Sequence, residues 1–340
     1  MYCLLSMIFY LYRLINNFSC KISKMDDNHS HYSLYGKTPL YQLFVSLLIV
    51  LGSGILLFIV FLVAGIFIFD SDLQILENPF AAVGEKNILF LKYILISQQI
   101  SFFIVPAIII LNKLKQGHQT VLRDMKIPQI NEIVLVVVLA FCIFPITGFT
   151  GELNATMHLP DWLSGVEQWM TKKEESAARL LDSIMTQDTF LVVILNVMMI
   201  AVLPAIGEEM IFRGVFQKIL SDLFRSGHLA IWITAFLFSA FHFQFFGFVP
   251  RFILGLVFGY LFFWSGTLWL PIISHFINNA VPVIGACIYG WDKVNVLSDI
   301  PLWKQMVVLP LPVLISAVIL LYFRNKSKKV TELSKNNLSF

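Results

Sequence analysis

The sequence predicts an all-α polytopic membrane protein, with about eight transmembrane helices in one bundle around an intramembrane cavity. Its 340 residues are 58% hydrophobic and only 13% charged, whereas soluble domains carry roughly 25% charged residues. The mean hydropathy of +0.79 agrees with this class. Apolar runs recur along the chain, and several approach or exceed the length of about 20 residues that a membrane helix needs.

Eight apolar runs account for the predicted helices. The first three precede a long polar segment, and the other five follow it. Tight turns rich in Gly, Pro and Ser separate the later runs, and the sixth run has the weakest boundaries. In chain order the runs are 42–69, 88–111, 132–150, 189–207, 229–246, 249–264, 267–288 and 303–323.

The chain divides into one domain and two terminal segments. We assign residues 1–40 to an N-terminal cytoplasmic segment, 41–323 to the transmembrane bundle and 324–340 to a cytoplasmic tail. Residues 1–24 are apolar but lack the basic start of a signal peptide. They are interpreted as an interfacial helix, an anchor or an over-extended start, because a polar stretch opens at Met25.

The distribution of charge predicts the orientation in the membrane. Basic residues cluster in the loop 112–131 and in the C-terminal tail, whereas the loops 70–87 and 152–188 hold most of the acidic residues. The positive-inside rule therefore places both termini in the cytoplasm, and the expected location is a bacterial cytoplasmic membrane. The middle of the long outer loop, residues 166–183, predicts an amphipathic helix on the membrane surface.

Charge and cysteine content exclude several classes of function. A formal net charge of +3 is too small to indicate nucleic-acid binding, so the lipid bilayer is the partner that composition predicts. The four cysteines lack the spacing of a metal site. GxSxG and HExxH motifs are absent from the sequence, which argues against a serine hydrolase and a zincin.

Three polar clusters interrupt the apolar runs of the second half. The first, EEMIFR, contains Glu208, Glu209 and Arg213; the second, FSAFH, spans 238–242; the third, HFINN, spans 275–279. Ionisable side chains are costly inside a bilayer and therefore usually functional. The clusters are the candidate site of this protein.

Counting residues predicts that the clusters lie at similar depths. At 1.5 Å per residue, Glu208 and His242 each lie about 20 Å from the turn at 221–228 that joins their helices. His275 and Asn279 lie about 12 and 18 Å beyond the preceding turn. Being four residues apart, they share one helix face. A single intramembrane cluster is therefore expected.

The residue types favour a site that polarises water and a carbonyl group. A carboxylate beside an imidazole is suited to general-base catalysis, and asparagine and imidazole N–H groups are suitable oxyanion donors. Glu209 and Arg213 are four apart in the order that favours a helical ion pair, which predicts a structural role. Phe238 is expected to pack under His242, one turn away.

These clusters resemble the motifs of the CAAX-protease and bacteriocin-processing family (the abortive-infection family) of intramembrane glutamic endopeptidases. The family pattern is EExxxR, then FxxxH, then HxxxN, on a core of eight helices. The three clusters match it in order over about 189–290, which is the predicted catalytic core. Each motif is weak alone, but three in order inside apolar runs are a specific signal.

The resemblance implies a role for each matching residue. Glu208 and His242 would hold and deprotonate the attacking water, and His275 and Asn279 would form the oxyanion hole. The supporting residues would be Glu209, Arg213 and Phe238. The implied substrate is a peptide or protein at the membrane, and lipid-anchored proteins are included because eukaryotic members cut prenylated proteins. No cofactor is implied.

Three alternatives remain open on the sequence alone. Glu208 and the two histidines are also ordinary zinc ligands, so a metal site is an alternative within the same class. A non-enzymatic scaffold or bacteriocin-immunity factor would bind a peptide in the same cavity. A transporter would use buried acids and histidines to relay protons, but the sequence shows no inverted repeat that would support it.

Overall fold

All regular elements in the described part of the chain are helices, which confirms the predicted class. The computed structural model describes residues 34–71, 85–114, 125–185, 189–289 and 302–336. The predicted N-terminal segment 1–24 lies outside these ranges. In chain order the helices are α1 (Pro39–Phe69), α2 (Glu85–Gln99, Ile100–Ile104 and Val105–Lys113), α3 (Ile130–Ala155), α4 (Ser164–Met185), α5 (Phe190–Phe224), α6 (Gly227–Ala240), α7 (Phe248–Ser265), α8 (Trp269–Tyr289), α9 (Leu302–Val308) and α10 (Pro310–Asn336).

Six helices of the described ranges are long and apolar enough to cross a membrane, namely α1, α2, α3, α5, α7 and α8. Two of the eight predicted spans therefore differ from the structure. The fifth run was predicted to continue to residue 246, but α6 has only 14 residues and ends at Ala240. The eighth run is divided between α9 and α10, because Pro310 begins a new helix instead of continuing the first.

The end of α6 changes the predicted setting of one site residue. His242 was expected on the helix, but it lies in the turn between α6 and α7. Phe243 adopts a left-handed backbone conformation with φ of 51°, which an L-residue reaches only outside a continuing helix. The helix therefore ends six residues before residue 246, where hydropathy alone places its end.

Helix α5 carries the first cluster and is continuous from Phe190 to Phe224, so it extends past the apolar run 189–207 to the turn at 221–228. Its segment Leu203–Glu209 lies between two π-helical stretches, Met198–Val202 and Met210–Gln217. The first of these stretches precedes Pro204, and the π-helical stretch of α2 precedes Pro106. A proline removes one backbone donor and crowds the carbonyl four residues earlier, and a wider turn relieves both effects.

Close packing of α6 against α7 positions the second cluster. A Cβ atom added to Gly255 of α7 would lie 2.9 Å from the Cα atom of Ala235 of α6. Small residues at such contacts let helix backbones approach closely.

At one end of the bundle, the Trp269 indole donates to the Met125 carbonyl at 3.1 Å. At the other end, Asn154 accepts from the Val249 backbone at 2.8 Å.

The polar segment before α5 forms the predicted amphipathic helix. It is α4, which extends two residues further at each end than the predicted range. The described part of the predicted C-terminal tail continues α10 as far as Asn336.

Candidate active site

The two adjacent carboxylates of α5 have different partners. Glu209 is fully buried, and its Oε1 accepts from Arg213 Nη1 at 2.8 Å. The same oxygen lies 2.9 Å from His275 Nδ1. The ion pair expected from the spacing of Glu209 and Arg213 is therefore present, and it also holds a residue of the third cluster.

Arg213 is the centre of a buried aromatic cage. It has no solvent exposure, and its Nη2 donates to the Gly255 carbonyl at 3.0 Å. The guanidinium carbon lies 4.8 Å from the ring centroid of Phe238 and 5.4 Å from that of Phe258. Cation–π contacts of this kind strengthen when they are desolvated. The predicted structural role of Arg213 therefore has a clear physical basis.

Phe238 and Phe258 also fix the two imidazoles. Phe238 packs edge-on against His242, with ring centroids 5.0 Å apart, as its spacing in the sequence predicts. It contacts His275 in the same way at 5.7 Å. Phe258 stacks on His275 at 5.1 Å with an interplanar angle of 18°. One phenylalanine thus contacts both histidines, and the other limits the orientation of His275.

Glu208 faces both histidines across short gaps. It is 6% exposed, and its Oε2 lies 4.0 Å from His242 Nε2 and 3.9 Å from His275 Nε2. These distances are too long for direct hydrogen bonds. The structure therefore brings together the carboxylate and the two imidazoles that residue counting placed at similar depths.

The Nδ1 partners determine the tautomer of each imidazole. His242 Nδ1 lies 2.7 Å from the Phe238 carbonyl oxygen, which only accepts. We therefore assign the proton to Nδ1, as for His275 Nδ1 beside the Glu209 carboxylate. With one proton on each ring, both Nε2 atoms carry a lone pair toward Glu208. Either Nε2 becomes a donor when its ring carries a second proton.

Asn279 is held one turn further along α8. Its Nδ2 donates to the Ile200 carbonyl of α5 at 3.2 Å, and its Oδ1 accepts from Asn278 at 3.4 Å. The Ile200 carbonyl is four residues before Pro204, which has no N–H to donate to it. An amide nitrogen has two donor hydrogens, so the bond to Ile200 leaves one for a ligand.

Gln99 is a site residue that the sequence analysis did not select. It ends the first segment of α2, and its Nε2 donates to Glu208 Oε1 at 3.4 Å. A π-helical stretch follows it directly, and such stretches often occur at functional sites. The signal in the sequence was a pair of glutamines, Gln98 and Gln99, inside an otherwise apolar run.

Metal binding was the main alternative for these side chains. Within the described ranges, no group of three or more His, Cys, Asp and Glu side chains is arranged to hold a metal ion. The expectation that the protein needs no cofactor stays a prediction, which a metal analysis of the purified protein tests.

Comparisons with known proteins concern the segment that holds the three clusters. Residues 190–281 match the family model described as type II CAAX prenyl endopeptidase Rce1-like, which confirms the resemblance predicted from the motifs. The uncharacterized protein YpbD of Bacillus subtilis (strain 168) is 30% identical over 90 residues. That alignment covers 25% of this chain and 43% of the relative, so the chain spans less than half of its length. No solved structure gives a significant match.

Proposed function

We propose that this Rce1-like membrane protein is an intramembrane endopeptidase that hydrolyses a peptide bond with a carboxylate-activated water. The family match supports a CAAX-type membrane protease. One observation carries the mechanism: Glu208 Oε2 lies 4.0 and 3.9 Å from two imidazole Nε2 atoms within an apolar bundle. The substrate is a peptide or protein at the membrane, and lipid-anchored proteins are within this class.

Glu208 and His242 are proposed to activate the water. A water oxygen placed about 2.8 Å from Glu208 Oε2 and from His242 Nε2 fits their observed separation of 4.0 Å, because such a water can donate one hydrogen to each atom. Glu208 takes a proton from this water while its oxygen attacks the carbonyl carbon. The proton then passes to the leaving nitrogen, the C–N bond breaks, and the products are a carboxylate and an amine.

His275 and Asn279 are proposed to stabilise the oxyanion. Asn279 retains one amide hydrogen after its bond to Ile200. His275 Nε2 donates when its ring carries both protons, and the bond from Nδ1 to Glu209 fixes the direction in which it points. Preorganised donors of this kind stabilise the charge that develops in the transition state.

Glu209, Arg213 and Phe238 are proposed to support the catalytic groups without touching the substrate. The buried ion pair fixes His275 through Glu209 Oε1, and the phenylalanine ring contacts both imidazoles. No metal takes part in this scheme. We therefore expect activity to survive chelators and the purified protein to contain no stoichiometric zinc.

The experiment compares purified wild-type protein with Glu208→Gln in lipid vesicles that contain membrane-associated peptides. Mass spectrometry of the products identifies any cleaved bond. We expect the variant to be at least about a hundredfold slower, which is the typical contribution of a general base. Glu175→Gln, at an exposed position of α4, is the control and should keep wild-type activity. Equal cleavage by wild type and Glu208→Gln would contradict the proposal.

A further inference from the structure

The turn that carries His242 has an unusual backbone and several fixed contacts. We call residues 241–247, which join α6 to α7, the His242 turn. Phe243 within it has φ of 51°, a conformation that costs energy for a bulky residue and persists only when its surroundings impose it. Ser239 Oγ donates to the Phe248 carbonyl at 2.6 Å and closes the base of the turn.

Arg251 of α7 is bonded to the middle of this turn. Its Nη1 donates to the Gln244 backbone carbonyl at 3.2 Å, and its Nη2 donates to the side-chain oxygen of the same residue. A Cβ atom added to Gly247 would collide with the guanidinium. The lack of a side chain at Gly247 therefore allows Arg251 to reach across the turn.

Helix α4 contacts the outer side of the same turn. The Glu174 carboxylate is attracted to Arg251 and interacts with the backbone N–H groups of Phe245 and Phe246. Five residues earlier, the Trp169 ring packs against the Phe245 ring with centroids 5.5 Å apart. The turn is thus held between α4 and α7.

Arg251 is also coupled to the candidate active site. It interacts electrostatically with His242 and with Glu208, although it belongs to none of the three clusters. His242 is the second residue of the turn, and its Nε2 must face Glu208 for the proposed chemistry. Two residues further along the same turn is Gln244, whose carbonyl accepts from Arg251.

We propose that Arg251, which the Glu174 carboxylate attracts, is a positioning residue that fixes the His242 turn and so keeps His242 Nε2 opposite Glu208. We call the contacts of Arg251 with the turn the clamp. This inference rests on the proposed peptidase function. A displacement of about 1 Å at a reacting group can reduce the rate by about a hundredfold. Loss of the clamp is therefore expected to lower kcat and to leave KM nearly unchanged.

Three variants test the clamp in purified full-length protein. Arg251→Lys keeps the charge but loses the planar fork that bonds two oxygens. Gly247→Ala keeps every charged group and displaces the guanidinium. Glu174→Gln keeps an acceptor oxygen for the turn and loses the attraction to Arg251. The control is Glu175→Gln, the neighbouring exposed acid on α4.

We expect Arg251→Lys and Gly247→Ala to lower kcat by about tenfold to a hundredfold, with KM within about twofold of wild type. The kcat of Glu174→Gln should lie between that of these two variants and that of wild type, and the kcat of the control should equal that of wild type. Thermal unfolding in detergent checks that the variants are folded. Wild-type kcat in both Arg251→Lys and Gly247→Ala, or a change confined to KM, would overturn the inference.

A second readout does not depend on peptidase activity. The rate at which diethyl pyrocarbonate modifies His242 reports the exposure and position of its imidazole. We expect this rate to change at least threefold in Arg251→Lys and Gly247→Ala but not in Glu175→Gln. Equal rates in all proteins would refute the clamp even if the proposed function also failed. A changed rate without any proteolysis by wild type would refute the proposed function alone.

Discussion

Arg213 is a cation without solvent exposure. The free-energy cost of burying its charge therefore depends on the ion pair with Glu209. Removing one partner of a buried ion pair typically costs about 3–5 kcal/mol, because the other charge is left uncompensated. We expect Glu209→Gln to lower stability by about this amount, as measured by thermal unfolding in detergent. The double variant Glu209→Gln with Arg213→Met removes both charges and should recover part of the loss. Wild-type stability in Glu209→Gln would contradict this account of the pair.

Gln99 donates to Glu208, the proposed general base, from a helix outside the three clusters. We expect Gln99→Leu to reduce kcat by about tenfold or more, because Glu208 loses a contact that fixes its orientation. Folding should be nearly unaffected, since leucine suits an apolar membrane helix. The neighbouring variant Gln98→Leu, at an exposed position of the same helix, is the control. A kcat of Gln99→Leu equal to that of the control would show that the contact has no role.

Residue types and spacing predicted most of the residues of the candidate site, but they did not predict its hydrogen bonds. The pair Glu209–Arg213 follows from a separation of four residues on a helix. The bond from His275 to Glu209 depends on how α8 rotates against α5, which no local pattern specifies. Gln99 was missed for the same reason, because its partner is 109 residues away.

The α6–α7 contact depends on the absence of a side chain at Gly255. A Cβ atom there would approach the Ala235 backbone, and the Gly255 carbonyl also accepts from Arg213. We expect Gly255→Ala to destabilise the protein by about 1–3 kcal/mol through overpacking. Gly52→Ala in α1 is the matched control, because a Cβ atom there would meet nothing within 4 Å. Thermal unfolding of both variants measures the difference, and equal midpoints would argue against a close contact.

The contact of α4 with the His242 turn gives stability a predictable pH dependence. Burial raises the pKa of the Glu174 carboxyl above 4.5, although attraction to Arg251 acts in the opposite direction. A raised pKa means that the stability linked to this group is fully present below pH 4.5 and is lost as the pH rises through the raised value. Glutamine does not ionise.

We therefore expect the unfolding midpoint of wild type to fall relative to that of Glu174→Gln as the pH rises from 4.5. At neutral pH the variant should be at least as stable as wild type, even though its kcat is lower. Thermal unfolding at a series of pH values measures this difference. An unfolding midpoint of Glu174→Gln below that of wild type at neutral pH would contradict this expectation, because it would show that the ionised carboxylate stabilises the fold.

Hydropathy predicted where most helices lie but not where α6 ends. The run 229–246 is apolar throughout, so composition offered no boundary at Ala240. In the turn that follows, Arg251 donates to the Gln244 carbonyl and Trp169 of α4 packs against Phe245. Such tertiary contacts override local preference. The π-helical stretches were equally hidden, although two of them, Ile100–Ile104 and Met198–Val202, precede a proline that marks the position.

The whole molecule brings three distant clusters to one place because α6 and α8 both pack against α5. Counting residues from the turn next to each helix gave similar depths for Glu208, His242 and His275, and their side chains meet in the structure. Similar depths follow from helix rise and antiparallel order alone. The number of membrane-crossing helices was harder to predict. Helix α6 is apolar and packs in the bundle, but its 14 residues are fewer than the about 20 that a membrane span needs.

The central claim is that Glu208 makes this protein a peptidase in its native membrane. The measurement that tests it most directly compares peptide termini, in membranes and in secreted material, from cells that carry wild type or Glu208→Ala at matched abundance. We expect new termini that appear only with wild type and that identify the substrate. Identical profiles of the two strains would contradict the claim. If the effect of the protein on the cells also persists in Glu208→Ala but is lost when the protein is deleted, a peptide-binding scaffold would be favoured.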